Sequence, residues 1–457
     1  MIYPSLLYRA APTGVRLAPG VFSDLQLTKI LSADTLDTMS VLCAPEDVTL
    51  RQAVYRDTEA NLSAYKTLTL AAKRLNGVQS AYSSARSVPE RDYLFARLIL
   101  AALDFADLAA VIPGDSELIA DFRAGFSGSF SAERSDSKGL SALTDSILNL
   151  EFSVKGDNLK VSRSAGSISL AKRLQFASDS LGLNISFDKR EADTELNTRI
   201  INAVSALFPE EFKRFSDFHR KFENDFSIDL LKYCHELTLY TEIASLYAKN
   251  NITHNFPNFV SDKRLEVAGL LDLSLLFKEQ REIVANDVFF TPQEPFFFLS
   301  GANGGGKTTY LRSIGTAAVL ARSGLPVPAE SMRVYPFSNI LTHFPRDEHG
   351  ESRLEDEQRR MAEILSLHGG DSLVLLNETF ATTTTEKAAE LTTELSAALA
   401  GSGCITLYIT HQLPENNSLP VLTVAVNDAN SKRTYKVVRS SGKTSSYAED
   451  ILRKYGF

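Results

Sequence analysis

The sequence is poor in cysteine, with three in 457 residues: Cys43, Cys234 and Cys404. They are widely separated and match none of the spacings of a metal site. We therefore expect three buried thiols and no metal bound through cysteine. This sparse use of cysteine is typical of a protein of the reducing cytoplasm.

The sequence also has no long uninterrupted hydrophobic run. Its most apolar stretch, residues 93–113, contains Arg97, Asp104 and Asp107. A membrane-spanning helix needs about 20 consecutive and mostly apolar residues. The stretch therefore predicts a buried or amphipathic helix, and no membrane partner is expected.

An excess of positive charge is missing as well, since the formal net charge is −8. The chain as a whole does not have the electrostatic character of a nucleic-acid-binding protein. Any surface that binds nucleic acid must therefore be local.

One local stretch is basic. Residues 152–162 alternate apolar and polar side chains around Gly156, Asp157 and Asn158, which predicts a β-hairpin. Between Phe152 and Arg173 there is one acid, Asp157, and the bases are Lys155, Lys160, Arg163, Lys172 and Arg173. Two interpretations remain open: a solvated hairpin face, or a set of contacts to the phosphate backbone of DNA.

The chain is long enough for two or three domains, and its first half is predominantly helical in pattern. Helices are predicted from about residue 20 to residue 112, with Asp24 as a candidate N-terminal cap. Between residues 209 and 248, apolar residues recur every three or four positions, which predicts one long amphipathic helix.

The most informative stretch begins with the apolar run Phe296–Leu299, which predicts a buried strand. The pattern G-x-x-x-x-G-K-[ST] follows, and it indicates a loop that binds the phosphates of ATP. Lys307 is expected to reach the β- and γ-phosphates, and Thr308 to bind Mg²⁺. The predicted ATP-binding residues of this loop are Gly301, Ala302, Asn303, Gly304, Gly305, Gly306, Lys307, Thr308 and Thr309.

Two later strands are predicted to end in polar residues. Asn377 and Glu378 follow Leu373–Leu376, where phosphate-loop proteins hold Mg²⁺ and the attacking water. We expect Glu378 to be the general base and Asn377 to contact the metal, less strongly than the usual aspartate. His411 follows the strand at residues 405–410 and is predicted to sense the γ-phosphate. We assign catalytic roles to Glu378, His411 and Lys307.

Residues 301–312 and 323–330 resemble the MutS mismatch-repair ATPase family. The resemblance implies a multidomain α and α/β protein, with a helical core and lever domain over 1–260 and an ABC-type phosphate-loop ATPase domain over 261–457. The hairpin at about 150–175 would be a reduced DNA clamp. The family's mismatch-recognition domain has no counterpart here, so we expect a short, divergent member.

The resemblance also implies a homodimer that uses ATP and Mg²⁺. Ser352 would reach the γ-phosphate bound by the partner subunit, and residues 382–385 would form the loop that crosses between subunits. Asn286 would lie near the base, which would pack on the aliphatic Ile283, where the family has an aromatic residue.

Three functions remain open. The first is an ATPase that acts on duplex, branched or mismatched DNA in repair or recombination, with ATP closing the dimer and lever helices moving a DNA clamp. The second is a nucleotide-operated switch for RNA, ribosomes or protein partners. The third is a slow ATP-binding scaffold, suggested by Asn377 and Ile283.

Overall fold

The computed structural model describes residues 4–9, 15–18, 20–148, 150–155, 158–163, 198–224, 230–275, 283–301, 303–345, 351–380, 384–414, 416–427 and 432–440. Its α-helices are α1 (Gly20–Asp24), α2 (Ala33–Ser40), α3 (Pro45–Ala60), α4 (Leu62–Ser83), α5 (Val88–Ala110), α6 (Glu117–Phe126), α7 (Ser131–Asp136), α8 (Leu140–Leu148), α9 (Thr198–Leu207), α10 (Pro209–Phe222), α11 (Lys232–Asn250), α12 (Lys307–Arg322), α13 (Glu351–Leu367) and α14 (Thr385–Ser402). Short 3₁₀ helices span Leu27–Lys29 and Leu273–Leu275.

The strands are β1 (Leu150–Lys155), β2 (Asn158–Arg163), β3 (Asn258–Phe259), β4 (Leu265–Leu270), β5 (Asn286–Phe290), β6 (Phe296–Ser300), β7 (Ser331–Val334), β8 (Asn339–His343), β9 (Ser372–Asn377), β10 (Ile405–Ile409), β11 (Val421–Asn427) and β12 (Lys432–Arg439). The predicted mixture of α and α/β structure is therefore confirmed.

The chain divides into two compact units. The first comprises Met1–Leu6 and Asn61–Thr238, and the second comprises Leu7–Ala60 and Leu239–Phe457. Helices α1 to α3, which the resemblance places in the helical domain over 1–260, thus lie in the same unit as the phosphate loop.

The first unit is largely helical. Helix α5 begins at a cap in which the Ser87 hydroxyl accepts a hydrogen bond from the Glu90 backbone N–H, while the Glu90 carboxylate accepts one from the Arg86 N–H. The first bond satisfies a donor that a helix start leaves unpaired, and the second ties the residue before the cap to the first turn. The core around α5 consists of Tyr93, Leu94, Phe95, Ala96, Ile99, Leu103, Leu140, Leu143, Ile201, Val204, Phe212, Phe215, Phe218 and Phe222.

The prediction of one helix over residues 209–248 is wrong. Helix α10 ends at Phe222 and α11 begins at Lys232, with a turn at residues 223–224 and non-helical backbone at Leu230. The intervening sequence contains Asn224, Asp225, Ser227 and Asp229, which are weak helix formers because their side chains compete for backbone hydrogen bonds. The periodic aromatic residues that the structure describes are nevertheless buried, as the pattern predicted: Phe212, Phe215, Phe218, Phe222, Tyr233 and Tyr240.

The predicted hairpin is confirmed. Strands β1 and β2 pair antiparallel, with Lys155 opposite Asn158 and Phe152 opposite Val161. Residues directly opposite one another share a face of the ribbon, and faces alternate along a strand. Positions 155 and 160 therefore lie on one face, and the apolar positions 152, 154, 159 and 161 lie on the other.

The second unit contains a six-stranded sheet in the order β12-β11-β6-β10-β9-β8 and a four-stranded sheet in the order β3-β7-β4-β5. In the larger sheet, β8, β9, β10, β6 and β11 are parallel and β12 is antiparallel. Strands β6, β9 and β10 are buried along their whole length. Because they are parallel neighbours, their carboxyl ends meet at one edge, where α12 begins.

Asp24 does not cap a helix as predicted, because it is the last residue of α1. The cap of the following helix α2 is Ser32, whose hydroxyl accepts a hydrogen bond from the Thr35 N–H. The Asp24 carboxylate is instead buried and accepts hydrogen bonds from Thr342 and Arg360.

Of the helices in the described part of the chain, none combines the length and the low polarity that crossing a bilayer requires.

Candidate functional site

The phosphate loop connects β6 to the start of α12. Its glycines adopt conformations that other residues rarely adopt: φ is 136° at Gly301, 72° at Gly304 and 91° at Gly306. Positive φ angles of this kind allow successive backbone N–H groups to turn towards one point, as a phosphate-binding loop requires. Helix α12 begins at Lys307, so its N-terminal dipole also points into the loop.

Lys307 lies at the centre of this loop. The residue is 4% exposed, and its Nζ donates hydrogen bonds to the Gly301 oxygen at 2.6 Å and the Asn303 Oδ1 at 3.3 Å. The Asn303 Oδ1 also lies 2.8 Å from the Nε2 of His411. The lysine, asparagine and histidine predicted from separate stretches are therefore joined in one network.

Glu378 and His411 follow the neighbouring strands β9 and β10. The Glu378 backbone N–H donates to the Ile409 oxygen at 2.9 Å, which extends the ladder between the strands by one residue. Glu378 itself has a φ of 49°, a left-handed conformation that costs a residue with a side chain about 1–2 kcal/mol. Strained residues of this kind are concentrated at functional sites.

The two side chains contact each other. The His411 Nε2 lies 3.2 Å from the Glu378 Oε1. Because its two neighbours are a carboxylate and an amide oxygen, Nε2 carries the proton and donates. This hydrogen bond, helped by the charges of His411 and Lys307, holds the pKa of Glu378 below its usual value, although partial burial acts in the opposite direction. Glu378 is therefore held as a carboxylate, the form that a general base needs.

Thr308 and Asn377 form the candidate metal site. The Thr308 Oγ1 lies 3.4 Å from the Asn377 Oδ1, so a hydroxyl and an amide oxygen converge beside Lys307. Oxygen atoms are the ligands that Mg²⁺ prefers, and Mg²⁺ usually keeps few protein ligands alongside water and substrate phosphates. The donor set therefore fits Mg²⁺, with a neutral amide where phosphate-loop proteins commonly have a carboxylate.

A cavity of about 740 Å³ extends from the loop. Lys307, Thr308 and Glu378 line the phosphate end, and Ile283 and Val284 contribute an aliphatic surface. The full lining is Leu270, Asp272, Leu275, Ile283, Val284, Asn286, Asn303, Gly304, Gly306, Lys307, Thr308, Thr309, Tyr310, Ser313, Glu378 and Tyr435. Ile283 and Asn286, predicted near the base, thus line the same cavity as the phosphate loop.

Asn286 is 9% exposed, and its side-chain amide is hydrogen-bonded to β12. Its Nδ2 donates to the Tyr435 oxygen at 3.0 Å, and its Oδ1 accepts from the Val437 N–H at 2.8 Å. Between Val424 and Val426 of β11, the pairing partner in β12 moves from Val437 to Arg433, so β12 has extra residues there that form a bulge. Asn286 therefore holds the bulge that carries Tyr435.

Sequence reasoning missed Tyr435, which has a φ of 58° and is 50% exposed. Its Cδ1 lies 3.3 Å from the position that a Cβ would occupy at Gly306. The structure thus brings an aromatic ring to a cavity whose predicted base-contacting residue is aliphatic. No local signal revealed this, because residues 306 and 435 are far apart in the chain.

Asp272 was missed as well. It is 6% exposed, and burial raises the pKa of its carboxyl group, against hydrogen bonds from Ser274 and the charge of Arg312. Its Oδ1 accepts from the Ser274 N–H at 2.6 Å and the Ser274 hydroxyl at 2.5 Å. A single aspartate in an otherwise apolar stretch carries no sequence pattern that would have indicated a site.

Several predicted site residues lie outside the described part of the chain. These are Ala302, residues 382 and 383, Lys172 and Arg173, together with the side chains of Ser352, Lys155, Lys160 and Arg163. The backbone of Ser352 lies in the first turn of α13. Thr384, in the predicted crossing loop, caps α14 with its side chain. The proposed roles of all these residues remain predictions.

Comparison with known proteins identifies the family. Residues 297–447 match the model of MutS domain V. The DNA mismatch repair protein MutS of Thermotoga neapolitana is 29% identical over 283 residues, which are 57% of this chain and 34% of that protein. The endonuclease MutS2 of Streptococcus equi subsp. equi is 31% identical over 185 residues (38% and 23%). The mitochondrial mismatch repair protein MSH1 of Arabidopsis thaliana is 38% identical over 123 residues (26% and 11%).

The chain thus spans about a third or less of the length of these relatives. The match to MutS domain V includes the phosphate loop, both strand ends and Tyr435. This segment of the chain, residues 297–447, therefore belongs to the MutS family.

Proposed function

We propose that this protein is an ATPase that uses Mg²⁺ and acts on DNA. The observation that carries the proposal is the convergence of Lys307, Thr308, Glu378 and His411 on one glycine-rich loop, within the segment that matches MutS domain V. The names of the relatives supply the DNA substrate, and they include both mismatch repair proteins and an endonuclease.

In the proposed reaction, water attacks the γ-phosphorus of ATP, the bond to the β-phosphate oxygen breaks, and ADP and phosphate leave. Lys307 neutralises charge on the β- and γ-phosphates. The Glu378 carboxylate orients the water and accepts its proton. His411 donates from Nε2 and can share that hydrogen bond between Glu378 and a γ-phosphate oxygen. Mg²⁺ bound near Thr308 and Asn377 would neutralise charge that develops on the phosphates.

We further propose that two copies form a dimer in which Ser352 of each subunit completes the partner's nucleotide site. Closure of the dimer would pass through the helices of the first unit to a DNA clamp that includes the β1–β2 hairpin. The position of residues 155 and 160 on the hairpin face opposite the apolar residues supports this role for the two lysines.

ATP hydrolysis is tested with two variants that act at different steps. Glu378→Gln keeps the size of the side chain but removes its basicity, so ATP binding is expected to persist while turnover falls at least about 100-fold. Lys307→Ala is expected to abolish ATP binding, because it removes the cation in the loop. Unchanged turnover in Glu378→Gln, or unchanged nucleotide affinity in Lys307→Ala, would contradict the site assignment.

DNA binding is tested by titrating duplex, branched, mismatched and single-stranded DNA with and without ATP at several salt concentrations. Each lysine that contacts a phosphate contributes about one unit to the slope of log affinity against log salt. We expect the double variant Lys155→Gln and Lys160→Gln to make that slope shallower, because fewer phosphates are contacted. The pair Lys66→Gln and Lys73→Gln on α4 is the matched control and is expected to leave it unchanged.

The net charge of −8 favours a second candidate, a nucleotide-operated switch whose partner is RNA, a ribosome or a protein. Recovery of RNA or ribosomes without DNA affinity at low salt would select this candidate.

Asn377 favours a third candidate, a slow ATP-binding scaffold. Hydrolysis that disappears in Glu378→Gln would exclude the scaffold.

A further inference from the structure

Asp24 connects three elements around the nucleotide site. Its side chain is 3% exposed, and its Oδ2 accepts hydrogen bonds from the Arg360 Nη2 and, at 2.8 Å, from the Thr342 Oγ1. Its backbone oxygen accepts from the Arg312 Nε at 3.0 Å. Thr342 lies on β8, Arg360 on α13 and Arg312 on α12.

The carboxylate of Asp24 binds Arg360 of α13, the helix that also carries Ser352. Arg360 is 10% exposed at its side chain and also donates from Nη1 to the Phe344 oxygen at 3.0 Å, just beyond β8. One carboxylate therefore fixes the end of β8 and the helix α13. Ser352 is eight residues before Arg360 on α13, about 12 Å along a helix. Removing one partner of a buried ion pair strongly destabilises the structure around it, since the other charge remains uncompensated.

The backbone oxygen of Asp24 contacts α12, the helix that follows the phosphate loop, through Arg312. Arg312 lies in the second turn of α12, and its guanidinium also stacks over the Phe344 ring at 5.3 Å. A Cβ at Gly315 of α12 would lie 2.5 Å from the Leu25 Cδ2, so α12 and the residue after Asp24 pack without spare space. These packing contacts involve no atom of the Asp24 side chain, but the Asp24 carboxylate also attracts the Arg312 guanidinium electrostatically.

We propose that Asp24 is a positioning residue for ATP hydrolysis, and that its carboxylate acts on the nucleotide site of the partner subunit. The carboxylate sets the position of α13, and hence of Ser352, relative to the phosphate-loop helix of the same chain. This inference rests on the proposed function, in which Ser352 completes the partner's site. Asp24 has two roles, one through its carboxylate and one through its backbone. Asp24→Asn separates them, because it removes the charge that holds Arg360 and leaves the backbone hydrogen bond to Arg312.

The first test is Asp24→Asn in the full-length protein. We expect the affinity for a fluorescent ATP analogue to change less than about twofold, while kcat falls about 10-fold or more. Thr342→Val, which removes one donor to the same oxygen, is expected to lower kcat by less. Asp37→Asn is the matched control, since the Asp37 carboxylate is 68% exposed on the neighbouring helix α2, and it should leave both quantities unchanged. A general loss of folding would instead lower affinity and kcat together, and it would overturn the proposal.

The second test uses mixed dimers in which one subunit carries Lys307→Ala, which disables the nucleotide site built on that subunit's own loop. The remaining site uses the loop of the other subunit and Ser352 of the Lys307→Ala subunit. We expect Asp24→Asn to lower the remaining hydrolysis about 10-fold or more when it is placed in the same subunit as Lys307→Ala, and to have little effect in the opposite subunit. The reverse pattern would overturn the proposal, since it would mean that Asp24 acts on its own nucleotide.

If a dimer with one disabled site does not hydrolyse ATP at all, the proposal is tested by the affinity and kcat of the Asp24→Asn homodimer. A homodimer with unchanged kcat overturns the inference. Failure of the proposed function looks different: the unmodified protein would not hydrolyse ATP, or Ser352→Ala would retain full activity.

Discussion

The Nε2 atom of His411 lies 3.2 Å from the Oε1 atom of Glu378, although 32 residues of sequence separate the two. They meet because β9 and β10 are parallel neighbours, with Asn377 paired to Ile409. The histidine lowers the pKa of the glutamate, so the carboxylate persists to lower pH than an isolated glutamate would allow.

This contact predicts the pH dependence of hydrolysis in His411→Gln. Without the histidine, the pKa of Glu378 should rise towards its ordinary value, so the carboxylate is protonated at higher pH. The acidic limb of the profile of kcat against pH should therefore move to higher pH, while ATP affinity is largely retained. The same hydrogen bond stabilises the fold above the unfolded-state pKa of the glutamate, and that contribution is lost as pH falls through the lowered folded-state pKa. An acidic limb that does not move would show that His411 does not control Glu378.

The neutral amide at position 377 predicts weak binding of Mg²⁺, and Asn377→Asp should strengthen that binding. A carboxylate beside the Thr308 hydroxyl is a stronger Mg²⁺ ligand, so the Mg²⁺ concentration for half-maximal hydrolysis should fall several-fold. Asn377→Ala should raise it. Without Mg²⁺ and nucleotide, Asn377→Asp should lower the melting temperature, because it buries a charge beside Glu378. An unchanged Mg²⁺ requirement in both variants would place the metal elsewhere.

Tyr435 predicts a contribution of its ring to nucleotide affinity. Aromatic stacking contributes about 0.5–1.5 kcal/mol, so Tyr435→Ala should weaken ATP binding roughly 2- to 10-fold. Tyr435→Phe keeps the ring and should bind nearly as well as the unmodified protein. Val438→Ala removes another exposed side chain of β12 that does not line the cavity, and it serves as the control. Equal affinities in calorimetric titrations of Tyr435→Ala and the control would exclude a role for the ring.

Asp272 predicts a stability change that depends on pH. Its raised pKa means that the charged carboxylate is disfavoured in the folded protein, so folding loses stability as pH rises through the unfolded-state pKa and on to the folded-state pKa. Asp272→Asn keeps the oxygen that accepts from Ser274 and removes the charge. It should increase the free energy of unfolding at neutral pH, by on the order of 1 kcal/mol. The gain should vanish at acidic pH, where the native aspartate is already neutral; a gain that is constant with pH would contradict this account.

The phosphate loop was predictable because its chemistry is local. Backbone N–H groups that converge on a phosphate need glycine at adjacent positions, and the buried strand before them is visible as an apolar run. The hairpin was predictable for the same reason, since alternation and a turn are both short-range signals. The long helix was not, because the apolar periodicity of the sequence continues through residues 223–231, although α10 ends at Phe222 and a turn follows at residues 223–224. Periodicity reports which face is buried and does not report whether one helix or two bury it.

From the sequence alone came the prediction of a nucleotide-binding loop, the candidate general base Glu378, the candidate metal ligands Thr308 and Asn377, and the resemblance to the MutS family, because each of these depends on a few adjacent residues with one chemical use. Tertiary structure decided which distant residues complete the site. Tyr435 reaches Gly306 through a bulge in β12, and Asp24 reaches Arg360 across more than 300 residues. Such contacts form when separate elements pack, and the sequence around either residue does not indicate which distant residue it will contact.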